Sequence, residues 1–174
     1  MLCKQNRAFS LIELLVTLTL ITLLGSVALP SLASLVERNR IQSLRANLQA
    51  QLHHARASSV LHNRDVEVCG SSDGQNCDDQ WQQGWLLHVV GTKQVIGQHL
   101  LSPQDRIMWM GATTRIRFHG NGTSPLGNGR FYICDQHLAV ALQIVINRQG
   151  RFRQGRFRQA TGLEPSQNQT IRCR

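Results

Sequence analysis

Between Phe9 and Leu29 the sequence reads FSLIELLVTLTLITLLGSVAL, 21 residues with one charged side chain, Glu13. A helix of that length is about 30 Å long, the thickness of a bilayer core. Lys4 and Arg7 precede the stretch and Pro30 follows it directly. The remainder is polar and rich in turn residues, so the chain is expected to be a membrane-inserting stem with a separate head. A cleaved secretory signal would carry an apolar region of about 7–15 residues before a small-residue site. Ser31-Leu32-Ala33 offers such a site, but the apolar run is too long for it. An ordinary anchor with Lys4 and Arg7 on the cytoplasmic side fits the length. It leaves Glu13 unexplained, although a carboxylate inside a bilayer costs about 2.5 kcal/mol or more.

A third reading supplies a partner for that carboxylate. Ala8-Phe9-Ser10-Leu11-Ile12-Glu13 resembles the processing site of type IV prepilins. The resemblance implies that a prepilin peptidase cuts between Ala8 and Phe9, that the new N-terminus is methylated, and that the stem is retained. It further implies that Glu13 pairs with the N-terminal amine of a neighbouring subunit in a filament. Ala8 stands where the family usually has Gly, and Pro30 falls where pilin stems often carry a proline. The domain layout that follows is a leader over 1–8, a membrane and assembly helix over 9–30, and a head over 31–174. The implied location is the inner membrane, crossed once with the head in the periplasm, and then the extracellular pilus.

Beyond Pro30, which is expected to bend the helix, apolar residues recur at Leu32, Leu35, Val36, Ile41, Leu44, Leu48, Leu52 and Ala55. Steps of three and four mark one face of a helix continuing to about residue 60. Arg38, Arg40, Arg45 and Arg56 fall largely off that stripe. After Asn63 the pattern shortens to candidate strands at Asp65–Cys69, Gly84–Val90, Gln94–Leu100, Ile107–Met110, Arg115–His119, Arg130–Cys134 and Leu138–Asn147. Gly91-Thr92-Lys93 reads as a hairpin turn, and Gly120 to Gly129 (GNGTSPLGNG) as a loop. One long helix followed by many short strands predicts an α+β fold, with the helix packed on mainly antiparallel sheets.

Cys3 lies in the leader, which leaves Cys69, Cys77, Cys134 and Cys173 in a head that would meet an oxidising compartment. Four cysteines allow three pairings. The pairing favoured here is Cys69–Cys77, closing a short loop, with Cys134–Cys173, tying down the polar tail. No CxxC spacing suggests zinc, so no metal is expected. Trp81 and Gly84-Trp85-Leu86 follow the Cys69-Gly70-Ser71-Ser72-Asp73-Gly74 and Cys77 stretch. Together with the stem, this stretch resembles the FimT/GspH-type minor pilins and pseudopilins. That resemblance implies a helix packed on a head of two β-sheets.

The charge is uneven. Residues 1–105 balance eight Lys/Arg against eight Asp/Glu, whereas residues 106–174 hold eleven Arg against Asp135 and Glu164. A one-sided excess of this kind suits a polyanion or an anionic surface. It peaks at Arg148-Gln149-Gly150-Arg151-Phe152-Arg153-Gln154-Gly155-Arg156-Phe157-Arg158, where GRFR occurs twice. Along a strand Arg151 and Arg153 share a face. A two-residue turn at Gln154-Gly155 would bring Arg156 and Arg158 to that face as well, with both Phe rings on the other. FimT-like minor pilins of natural transformation carry a C-terminal GRxR motif that binds DNA. Gly150-Arg151-Phe152-Arg153 and Gly155-Arg156-Phe157-Arg158 both match it. Together with the charge pattern this gives an expected DNA-binding set of Arg148, Gly150, Arg151, Arg153, Gly155, Arg156 and Arg158, with Arg115, Arg117 and Arg130 as helpers. Guanidinium groups suit phosphate because the planar fork binds two oxygens at once. Binding would then be sequence-independent and salt-sensitive.

The competing readings are a solvated edge strand that uses charge to block aggregation, and a structural minor pilin or type II secretion pseudopilin without DNA affinity. A third is a membrane-tethered binder of acidic polymers that is not a pilin, which would keep its leader. The seven histidines show no metal-ligand spacing, and no nucleophile–base set or P-loop is present. Neither an enzyme nor a cofactor is expected. The expected partners are DNA phosphates, other pilin subunits, the peptidase and the inner membrane.

Overall fold

The computed structural model describes residues 10–92, 94–155 and 173. One helix, α1 (Leu11–His62), is followed by eight strands among the described residues: β1 Val66–Gly70, β2 Gly84–Val89, β3 Val95–Leu100, β4 Arg106–Gly111, β5 Ile116–Phe118, β6 Gly129–Cys134, β7 Val140–Ile146 and β8 Phe152–Gly155. The chain forms two compact units, Met1–Asn39 and Arg40–Arg174.

In the first unit Ser10 starts the helix, its carbonyl accepting the N–H groups of Glu13 and Leu14. The hydroxyls of Thr17, Thr19, Thr22 and Ser26 each donate to the carbonyl three residues back. These four hydroxyls are thereby satisfied within the helix itself, as the apolar interior of a bilayer would require of them. The apolar side chains stay outside, Leu11 at 78% and Leu24 at 71% exposure. An 18-residue window here has a mean hydropathy of 2.2, enough by length and composition to cross a membrane. The helix continues through Pro30 without a break in assignment.

The second unit has the core. Ile41, Leu44, Leu48, Leu52 and Ala55 lie on one helix face and are buried. They form one cluster with Val66, Val68, Trp85 and Leu87, with Ile116 and Phe118, and with Phe131, Ile133, Ile144 and Ile146. Each such side chain contributes about 1.5–3 kcal/mol on burial. Leu32, Leu35 and Val36, at the other end of the predicted stripe, are exposed instead. Arg45 and Arg56 flank the buried face. The helix ends at Asn63, whose φ of 46° is left-handed. There Arg64 N–H donates to the Ser59 carbonyl, a pattern of helix ends.

Two four-stranded antiparallel sheets carry the strands. The first has the order β3-β2-β1-β5 and the second β4-β6-β7-β8. The architecture is the α+β arrangement the sequence predicts. Seven of the strands coincide with the candidate runs to within a few residues; β8 is the addition. Cys69–Cys77 closes the loop after β1, and Cys134–Cys173 joins the end of β6 to the C-terminal region.

Candidate nucleic-acid interface

The site is built on the last hairpin of the second sheet. Between β7 and β8, Gly150 N–H donates to the Asn147 carbonyl, and Asn147 N–H donates to the Arg151 carbonyl. The Asn147 side-chain oxygen also accepts the Arg151 N–H at 2.9 Å. Gly150 has φ 68°, the left-handed residue that short hairpin loops of this kind demand. Glycine is required there for a second reason, because a Cβ would lie 2.4 Å from the Gly122 carbonyl oxygen. The predicted glycine loop packs against this turn. Ser124 N–H donates to the Arg148 carbonyl, and Arg56 Nε holds the Gly122 carbonyl at 2.9 Å.

Pairing with β7 continues past the turn, with Val145 opposite Arg153, Ile144 opposite Gln154 and Gln143 opposite Gly155. This overturns the expected two-residue turn at Gln154-Gly155. The turn is already made at Asn147–Gly150, and β7 offers ladder partners through Gly155. Gly155 also has little room for a side chain, since a Cβ would lie 2.2 Å from the Gln143 amide nitrogen. Arg156, Phe157 and Arg158 lie outside the described residues.

Strand parity decides what β8 presents. Phe152 turns inward, 4.8 Å from the His53 ring and 5.8 Å from the Phe118 ring. It is half-buried and packs against the core. Gln154 is exposed and accepts from the helix residue Arg45 at 2.6 Å. Arg151 and Arg153 take the other face and are exposed. Register extends their row across the sheet, with Arg153 opposite Val145, Val145 opposite Arg130, and Arg130 opposite Met110. Arg130 is thus two strands from Arg153, about 10 Å away, and Arg151 is about 7 Å along the strand. Arg148 is exposed at the turn. Among the described residues, none of these four guanidinium groups pairs with a carboxylate. The sequence left Arg130 as a helper of uncertain place; its alternation with buried Phe131 was the signal available.

Arg115 and Arg117 go elsewhere. They flank Ile116 on β5 in the first sheet, opposite Glu67 of β1. Glu67 is 5% exposed and binds Arg117 at 2.9 Å and Arg115 at 3.3 Å. Asp79 takes Arg115 from the other side at 3.2 Å. Burial pushes the Glu67 carboxyl upward, but the guanidinium groups of Arg117 and then Arg115 outweigh it and hold it below its ordinary value. The structure therefore does not bring these two helpers into the row. Cys69, Cys77 and His88 lie close enough together to suggest a metal group. Both sulfurs are committed to the disulfide, which leaves His88 as the one available ligand.

A long helix on two antiparallel sheets with this hairpin is a recurring architecture. The family model described as type II transport protein GspH matches residues 45–150. The chain belongs to the GspH family. The prokaryotic N-terminal methylation motif matches residues 3–29, a span that contains Ala8, Phe9 and Glu13. Ala8 and Phe9 lie outside the described residues. The fold is that of the type IV minor pilin FimU of Pseudomonas aeruginosa strain PAO1. One crystal form of FimU superposes with a TM-score of 0.56 at 22% identity, covering 69% of this chain and 91% of FimU. A second gives 0.55 at 22% identity, over 66% and 92%. No curated relative matches the sequence. GspH-family membership and the methylation motif make this a pilin-like structural protein, with prepilin processing and assembly with other pilins.

Proposed function

We propose that this GspH-family chain is a minor type IV pilin that binds extracellular DNA without sequence preference during natural transformation. Its head would face the periplasm before assembly and the exterior afterwards. One observation carries the reading: Arg130, Arg148, Arg151 and Arg153 gather on the outer side of one hairpin and its neighbouring strand, with no acid among the described residues to neutralise them. Gly150 and Gly155 serve by shape, the first through its turn and the second through its close approach to Gln143. Arg156 and Arg158 extend the set in sequence. Arg115 and Arg117 are structural in this proposal.

The test is DNA affinity of the full chain in detergent across a salt series. Four phosphate contacts give a log–log slope of about −3 to −4 on duplex DNA. No binding near physiological salt, or a slope near zero, ends the reading. Mass spectrometry of the mature N-terminus tests the stem: it should begin at Phe9, methylated, whereas an intact leader contradicts processing.

A second reading has its own support. Among the described residues β8 is the edge strand of its sheet, and charge on an edge blocks unwanted pairing. A structural minor pilin or pseudopilin would use the arginines in that way. It predicts no DNA affinity and a loss of assembly, not of uptake, when they are removed.

A further inference from the structure

We propose that the DNA bound by this protein is single-stranded, and that a base enters a groove beside Arg130 while the arginine row holds its phosphates. The inference rests on the DNA-binding reading above and goes beyond it by assigning the groove and the strand form. At the end of the second sheet, where β4 and β6 meet their loops, a groove of about 860 Å³ opens, within the size range of ligand clefts. Trp109, Met110 and Val145 give it apolar surface, Thr113 and Asn128 give polar groups, and Arg130 is the one charged residue among the described residues lining it. Met110 is half exposed, as an unfilled apolar surface would be.

Two features tie this groove to the arginines. Val145 separates Arg130 from Arg153 in the cross-strand row and lines the groove as well. It also lines a second groove of about 330 Å³, whose other walls include Arg151 and Arg153. Val145 is thus a shared wall of two grooves, the smaller carrying Arg151 and Arg153 and the larger carrying Arg130 beside an apolar surface with polar groups. That is the layout of a single-strand binder, in which cations follow the backbone and an unpaired base lies on an apolar surface. A duplex keeps its base faces stacked and would meet only the arginines.

The groove wall is held in place in advance. Trp81 Nε1 donates to the Thr114 carbonyl at 2.8 Å, and Trp109 Nε1 to the Thr113 carbonyl at 2.7 Å. The two indoles and Phe131 form a contact trio, with ring centroids 4.5–6.0 Å apart. Ala112 N–H donates to the Asn128 carbonyl, closing the wall against the loop. A site fixed in this way loses little entropy on binding. Phe152, half-buried against the core, is itself one wall of the smaller groove beside Arg151 and Arg153; the larger groove adds a second aromatic wall, Trp109, beside Arg130.

The experiment compares oligothymidylate, an abasic deoxyribose-phosphate strand of equal length, and a duplex, each titrated into the full chain in detergent. Oligothymidylate should bind about fivefold or more tighter than the abasic strand, a difference of the size that single-base stacking gives. Met110→Ser should remove that advantage and leave abasic and duplex binding unchanged. Arg130→Gln should weaken all three. Equal affinity for the thymidylate and abasic strands overturns the groove while the phosphate reading stands. So does a Met110→Ser loss shared by all three DNAs. Failure to bind any of them overturns the DNA reading, and this inference with it. The comparison of strands on the unaltered chain needs no variant to fold.

Discussion

Arg115-Ile116-Arg117 and Arg151-Phe152-Arg153 have the same pattern, basic-apolar-basic, and each flanks its apolar residue on a strand at the edge of a four-stranded sheet. In both, the central side chain turns inward and the two guanidinium groups turn out. The difference lies across the strand. Arg117 faces Glu67, a nearly buried carboxylate, whereas Arg153 faces Val145. The first pair is consumed by the fold and the second is free for a ligand. Spacing thus places charges on a face, but the cross-strand neighbour decides whether they are structural or available.

The two sheets also differ in how they are stapled, and the largest predicted effect lies there. Cys134→Ser with Cys173→Ser opens a link of sequence separation 39 and should lower stability by about 4 kcal/mol in the loop-entropy account. Cys69→Ser with Cys77→Ser, separation 8, should cost about 2–3 kcal/mol. Denaturant midpoints under oxidising conditions measure both; equal losses would contradict the asymmetry. Next comes the carboxylate of the first sheet. Glu67→Gln should cost about 2 kcal/mol at neutral pH, the scale of hydrogen bonds to charged groups. Because the folded state depresses this carboxyl, its contribution is present above the ordinary value of 4.5 and fades as pH falls through the folded value. The gap between Glu67→Gln and the unaltered chain should therefore close on acidification; a gap that stays constant would show that the ion pairs are not its source.

The third effect separates the two arginine pairs directly. Arg151→Gln with Arg153→Gln should weaken DNA binding about tenfold at low salt and flatten the log–log slope by about 1.8 units, near 0.9 for each lost phosphate contact. Arg115→Gln with Arg117→Gln should leave that slope unchanged and lower the melting temperature instead. If both double variants change the slope alike, the distinction fails. The smallest effect comes from giving the second sheet what the first already has. Val145→Glu sets a carboxylate between Arg130 and Arg153, and should flatten the slope by about 0.9 units while the fold persists. An unchanged slope would remove Val145 from the binding track.

Much of the fold is legible in the chain because it rests on period. The stripe from Ile41 to Ala55 repeats at steps of three and four, and Val66-Glu67-Val68 alternates as a strand with Val66 and Val68 in the core. β8 was legible only as a conditional strand, because Phe152 is its one apolar side chain in a run of Arg, Gln and Gly and no alternation of hydrophobicity marks it. The turn was expected at Gln154-Gly155 and lies at Asn147–Gly150 instead. Gly150 won because Asn147 caps its turn, Ser124 bonds the Arg148 carbonyl and Gly122 packs closely there. None of these partners is local to the motif.

By itself the sequence determined the apolar stem, the helix-then-strands order, and the face shared by Arg151 and Arg153. All of these follow from the fixed geometry of helix and strand, which repeats along a chain whatever surrounds it. Only the tertiary structure decided that Arg130 joins that face, that Arg115 and Arg117 are neutralised, that Phe152 packs against the core, and that a groove adjoins the row. These depend on which strands become neighbours and in what register. Register is a property of residues far apart in sequence that meet only after the core has formed.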